Sequence, residues 1–133
     1  MTDKSEPGVI GVGMPHMLYL DQFGLLVYDA FGNYPYLVGS ATVSKQWHDV
    51  DVRLILDDDD YLRLIGNVQN EAGNPRWRAF CMAFSELGKR LTGLPIDFQI
   101  QQQTQANRLF PHQRRQALIL ASDVMREAHK EGT

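Results

Sequence analysis

Two carboxylates one residue apart at the head of an apolar run constrain this chain more than any other feature. The run reads Asp49-Val50-Asp51-Val52-Arg53-Leu54-Ile55-Leu56. In an extended strand, alternate side chains share a face. Asp49, Asp51 and Arg53 then point one way, and Val50, Val52 and Leu54 point the other way, into a core. The two acids stand ~6.5 Å apart at Cα on strand spacing and repel unless a cation lies between them. A hard divalent ion such as Mg²⁺ suits them, because it takes oxygen ligands and keeps positions open for phosphate. Upstream, Tyr36-Leu37-Val38 reads as a short strand broken by Gly39-Ser40. A short helix from Ala41 to Gln46 fits between that break and Asp49.

A chain of 133 residues suffices for one domain with a modest core. Hydrophobic residues at 44% and charged residues at 22% point to a globular, soluble protein. A net charge of -3 argues against a protein that coats nucleic acid, which is usually basic. The lone cysteine, Cys81, excludes an internal disulfide and suits a reducing compartment. No apolar run approaches the ~20 residues of a membrane span, and Thr2 to Pro7 lack a signal-peptide layout. The expected location is the cytoplasm, with no membrane association.

Along the chain, residues 1–13 read as a flexible lead-in, since Gly11-Val12-Gly13 lacks the strand and third glycine of a dinucleotide loop. Pro15 opens a helix to about Phe31, with Leu20, Phe23, Val27 and Ala30 near helical spacing and Gly32 past its end. Gly24 costs that helix about 1 kcal/mol relative to alanine. A pair of short strands, Met17 to Leu20 and Leu25 to Tyr28, is the competing reading. Asp57 to Asp60 read as a solvated turn, with Asp60 capping a helix through Ile65. Asn74-Pro75 caps and starts a helix whose apolar face is Trp77, Phe80, Cys81, Phe84, Leu87 and Leu91, ending near Gly93. Cys81 is expected to be a small buried apolar residue there. Leu94 to Ile100 alternates as a third strand, with Asp97 and Gln99 on its polar face. The tail is slightly basic, at +2 from Thr104 to Thr133, and Arg108, Arg114 and Arg115 are either contacts for RNA, nucleotide or an acidic partner or simply a solvated helix face. A helix is expected there from Pro111 to Lys130, with Ala117 and Leu118 in its apolar stripe.

These residues resemble the polymerase-beta-like nucleotidyltransferase superfamily. Its pattern is a hydrophobic strand, Gly-Ser or Gly-Gly, a short helix, Asp-x-Asp on the next strand and a third carboxylate on a later one. Leu37-Val38-Gly39-Ser40, Asp49-Val50-Asp51 and Ile96-Asp97-Phe98 fill those places in order, over roughly residues 16 to 100. The small size is similar to the minimal nucleotidyltransferases, some of which act in toxin–antitoxin pairs. The resemblance implies an α/β (α+β) fold, a mixed sheet flanked by helices in a single domain over residues 14–133 with a C-terminal helical tail. It also implies transfer of a nucleoside monophosphate from a nucleoside triphosphate to a hydroxyl on RNA or protein.

Under that resemblance, Asp49, Asp51 and Asp97 bind Mg²⁺ or Mn²⁺, and Asp97 also takes the proton of the attacking hydroxyl. Gly39 lets backbone amides approach a phosphate, and Ser40 adds a hydroxyl donor. Arg53 reaches the triphosphate or pairs with an acid, and Lys45 is a phosphate contact or a solvated lysine. Trp47 stacks on a base or packs under the short helix, and His48 is structural. Only eight residues separate Ser40 from Asp49, so the intervening helix must be brief. Acceptor selectivity falls to the tail, a second subunit in a homodimer, or a partner protein. A nucleotide-binding or interaction module that kept the fold without turnover is the alternative.

Overall fold

Alternation along Val50–Leu56 sends every second side chain into the interior, and the sheet is assembled around that strand. The computed structural model describes residues 11–42, 48–67 and 71–119. Helix α1 spans His16–Phe31, strand β1 Tyr36–Val38, β2 Val50–Leu56, helix α2 Asp58–Leu64, α3 Pro75–Thr92, β3 Ile96–Gln102, α4 Gln103–Leu109 and β4 Gln116–Ala117. Short 3₁₀ turns occupy Gly39–Thr42 and Glu71–Gly73. The four strands form one mixed sheet in the order β3-β2-β1-β4. β1 is antiparallel to both β2 and β4, whereas β2 and β3 run parallel. A parallel pair needs a crossover of a dozen or more residues, and α2 with α3 supplies it. The result is the expected α+β single domain with a mixed sheet and flanking helices.

One sheet face is the core. Leu37, Val50, Val52, Leu54, Ile96, Phe98 and Ile100 are buried there with Leu20, Phe23 and Val27 of α1. The Phe23 and Phe98 rings meet edge to face at 6.1 Å, and Phe84 of α3 lies 5.4 Å from Phe98. Helix α1 begins after Pro15 and stops at Gly32, which adopts the left-handed conformation at φ 83°, so the helix reading holds over the two-strand alternative. Helix α3 starts where Asn74 and Pro75 place it, with the Asn74 side chain accepting the Trp77 N–H at 2.9 Å. It also covers the outer edge of β3. Trp77 Nε1 donates to the Ile100 carbonyl at 2.8 Å, and Ser85 Oγ accepts from the Phe98 N–H at 2.8 Å. Both bonds satisfy edge groups that would otherwise invite another strand. Leu91, expected on the apolar face, is instead exposed. It lies in the last turn of the helix, where Gly88 and Thr92 face inward.

Other expectations change. Residues 11 and 12 are not a free lead-in, because Gly11 N–H donates to the Ala41 carbonyl at 2.8 Å and Val12 is buried in the core. Positions 1–10 of that stretch lie outside the described residues. The cap on the acidic run is Asp57, not Asp60. Its side chain accepts the Asp60 N–H at 2.8 Å, and Asp58 to Asp60 fill the first turn of α2, where the helix dipole favours negative charge. Asp58 also accepts from Thr104 N at 3.1 Å and Thr104 Oγ1 at 2.5 Å, fastening the start of α2 to the start of α4. Residues 111–119 are not helical: they form a turn and then β4. The rest of that expected helix, from residue 120, lies outside the described residues, as do Val43 to Gln46 of the short helix expected after Ser40, and Trp47.

Leu118 explains both β4 and Gly24. Its N–H donates to the Pro35 carbonyl at 3.0 Å, and its side chain is fully buried. A Cβ on Gly24 would stand 2.5 Å from the Leu118 carbonyl oxygen and 2.7 Å from its Cβ. The glycine is therefore required by the close approach of the last described segment, whatever it costs the helix. Gly24→Ala is expected to destabilise the protein by about 1–3 kcal/mol, the cost of overpacking, measured by urea unfolding. A helix-propensity argument alone predicts the opposite sign.

Candidate functional site

Gly39 ends β1 and turns the chain with φ 78°, a conformation that side chains with a Cβ rarely adopt. The same glycine makes room for an acid. A Cβ at position 39 would lie 2.6 Å from Asp51 Oδ2, so the Asp51 carboxylate rests against the turn. Thr42 Oγ1 donates to the Gly39 carbonyl at 2.7 Å and closes the turn, leaving Ser40 exposed.

Strand register brings up the next member. In the antiparallel pair Val38 lies opposite Asp51, and in the parallel pair Asp51 lies opposite Asp97. Asp51, Arg53, Asp97 and Gln99 therefore occupy the sheet face opposite the core side chains of α1, with α3 along the β3 edge of that face. Arg53 bridges the two acids. Its Nη1 donates to the Asp97 carbonyl at 2.6 Å and to the Val52 carbonyl at 3.2 Å. Its Nη2 lies 3.4 Å from Asp97 Oδ2 and 3.8 Å from Asp51 Oδ1. Arg53 is thus seen in an ion pair, the second of its two expected roles.

The charges in this cluster do not balance. Burial raises the Asp51 pKa above the ordinary 3.8, Arg53 opposes that rise, and the neighbouring Asp97 and Asp49 add to it. Asp49 precedes β2 by one residue and is exposed; it contributes charge without sharing the Asp51 niche. Among the described residues, no three His, Cys, Asp or Glu side chains stand close enough to hold a metal ion by themselves.

Two depressions flank the acids. A groove of about 320 Å³ runs between α3 and β3 and is lined by Trp77, Cys81, Met82, Ser85, Asp97 and Gln99. A smaller cavity of about 190 Å³ lies further along β3, beside α4. Cys81 is a packing residue as expected: burial pushes its thiol up to about 11, far from a reactive thiolate. Of the predicted site residues, Gly39, Asp51, Arg53 and Asp97 come together, Ser40 and Asp49 stand exposed near them, and Lys45 lies outside the described residues. Gln99 lies on the polar face with Asp97 as expected, and Gln101 continues that face because β3 runs on to Gln102.

Comparison of the chain with protein-family models, with curated proteins and with solved structures finds no match in any of the three. What the fold and this face define is an α+β domain presenting a glycine turn and two carboxylates on adjacent parallel strands. Among the described residues, no helix is long and apolar enough to cross a membrane.

Proposed function

We propose that the protein is a divalent-metal-dependent nucleotidyltransferase that moves a nucleoside monophosphate from a nucleoside triphosphate to a hydroxyl on RNA or protein. The observation that carries this reading is the contact between Gly39 and the Asp51 carboxylate, with Asp97 in register on the next strand. An anion-accepting turn and a cation-demanding acid pair then share one open face.

Asp51 and Asp97 would hold Mg²⁺ or Mn²⁺, with Asp49 adding negative charge at the rim. The ion supplies charge neutralisation for the triphosphate and lowers the cost of ionising the attacking hydroxyl. The chain's own groups do the rest. The Gly39 turn seats the Asp51 carboxylate in the space a Cβ would fill, and the exposed Ser40 hydroxyl beside it would donate to the phosphates. Arg53 fixes the Asp97 backbone and holds its carboxylate toward Asp51. The acceptor oxygen, arriving through the groove between α3 and β3, forms a bond to the α-phosphorus. The bond from the α-phosphorus to the bridging oxygen breaks, pyrophosphate leaves, and the hydroxyl proton passes to Asp97.

A second reading is a nucleotide-binding or protein-interaction module without turnover. It is favoured by one observation: Arg53 already offsets part of the charge that a metal would offset. Incubation with Mg²⁺, α-labelled nucleoside triphosphates and candidate RNA or protein acceptors separates the two. Label transfer with pyrophosphate release, lost in Asp97→Asn, supports the enzyme. Nucleotide binding without pyrophosphate release under any acceptor supports the module.

A further inference from the structure

The far edge of the sheet carries a cation on the same face as the acids. Leu37 pairs with Gln116, and Tyr36 with Ala117. Carried one residue further, that register sets Arg115 opposite Val38, whose other neighbour is Asp51. Asp97, Asp51, Val38 and Arg115 then form one row across the four strands. Residues opposite one another in a sheet share a face. Leu118 fixes the sense of the alternation independently. It packs against Gly24 of α1 on the core side, so Gln116 takes that side and Arg115 the side of the acids. Val38 agrees: it is buried, yet it does not belong to the main core cluster.

Arg115 is held there without a partner. Its Nε is buried and makes no hydrogen bond among the described residues, a costly state for a donor on a charged group. None of the ion pairs among the described residues includes it. The residue is half-buried, and Nε is the one nitrogen of its guanidinium enclosed without a partner, so the two Nη groups are those open to a ligand. Arg53 cannot take this part, because its Nη1 is already spent on the Val52 and Asp97 carbonyls. At ~4.8 Å between strands, Arg115 stands about 10 Å from Asp51 along the row. The Gly39 turn leaves β1 between the two, with Ser40 exposed.

Resting on the nucleotidyltransferase reading above, we infer that Arg115 binds the part of the substrate that leaves, the β- and γ-phosphates. With the α-phosphate at Asp51 and Asp97, the phosphate chain runs past Ser40 toward β4. There the guanidinium donates two N–H groups to phosphate oxygens, a geometry its planar fork matches. A nucleoside monophosphate ends short of it. The site therefore recognises its donor by the length of the phosphate chain.

The test is calorimetric binding of ATP, AMP and inorganic tripolyphosphate to the full chain with Mn²⁺ present, in the wild type, Arg115→Met, Arg115→Lys and Arg114→Gln. Arg115→Met keeps an unbranched stem and removes the enclosed Nε, so its urea midpoint is expected at or above that of the wild type. It is expected to bind ATP and tripolyphosphate about tenfold or more weakly, through the lost charged hydrogen bonds, and AMP within about twofold. Arg115→Lys keeps the charge but not the fork and is expected to weaken ATP about threefold; it carries the test should Arg115→Met fail to fold. Arg114, one residue earlier, has the opposite parity, and Arg114→Gln is expected to move ATP binding by less than about twofold. Wild-type ATP affinity in the Arg115 variants, equal losses of ATP and AMP, or an equal loss in Arg114→Gln would overturn the phosphate subsite and leave the transferase reading standing. No binding of ATP to the wild type would overturn both.

Discussion

Asp51→Asn is expected to lower nucleotide transfer by on the order of 10²–10³-fold, the scale on which one preorganised electrostatic contact acts, while leaving the fold as stable as before or more so. The two halves have one cause. The carboxylate is partly buried against Gly39 with Asp97 and Asp49 nearby, and its raised pKa says that the folded protein disfavours its charge. An asparagine keeps the shape and removes that charge. The sign with pH follows. A carboxyl whose folded pKa lies above its unfolded value of about 3.8 binds more protons when folded. The wild type therefore loses stability as pH rises from there through the folded pKa, and the loss is complete above it. Asp51→Asn should abolish that component. Urea midpoints for both proteins between pH 3.5 and 7 check it. A variant less stable than wild type at pH 7 would mean that Arg53 outweighs burial at this position.

Gly39→Ala is expected to damage both stability and activity, through two separable effects. The backbone at φ 78° costs an alanine about 1–2 kcal/mol, enough to lower the Tm by several degrees in a domain of this size. The new Cβ also meets Asp51 Oδ2 at 2.6 Å. That oxygen is the movable end of a side chain, so the carboxylate swings away and the acid pair is spoiled. Transfer should fall by at least about tenfold beyond what the lost stability explains. Because the clash needs Asp51, introducing Gly39→Ala into an Asp51→Ala background should cost less stability than it does in the wild type. Equal costs in the two backgrounds would leave only the backbone effect. Ser40→Ala is the control: its side chain is exposed, and stability should not move.

The acid pair also illustrates how charge can be held for use. Arg53 is mostly buried yet tied chiefly to carbonyl oxygens, with its contacts to the carboxylates at 3.4 and 3.8 Å. It steadies Asp97 through the backbone while leaving both carboxylates partly exposed and open to a further cation. A guanidinium locked onto both carboxylates at close range would compete with such an ion. The hydrogen bonds to Val52 and Asp97 carbonyls hold it to one side.

Several elements were legible because their signals are local. Asn74 and Pro75 mark the start of α3, Gly32 and Gly93 mark helix ends, and alternation in Val50–Leu56 and Ile96–Gln102 marks two half-buried strands. Each depends on residues a few positions apart, where capping, backbone preference and side-chain period act directly. The tail was misread for the opposite reason. Helix α4, Gln103–Leu109, buries only Ala106 of its own side chains, so it shows no apolar period, and its start is held by Asp58 from a distant element. Strand β4 is two residues long and exists through its pairing with Tyr36 and Leu37.

The residue types of the candidate site, and the faces of their strands on which they lie, follow from a period of two that any extended chain imposes. Their convergence does not. That Asp51 rests on Gly39 and faces Asp97 depends on the register of two strand pairs, one antiparallel and one parallel. A slip of one residue in either pair would turn its side chains to the opposite face. Register is chosen by packing of Phe23, Phe84 and Phe98 on the other side of the sheet, contacts between segments far apart in the chain. The same holds at Gly24, where a residue that weakens its helix is kept because Leu118 packs against it.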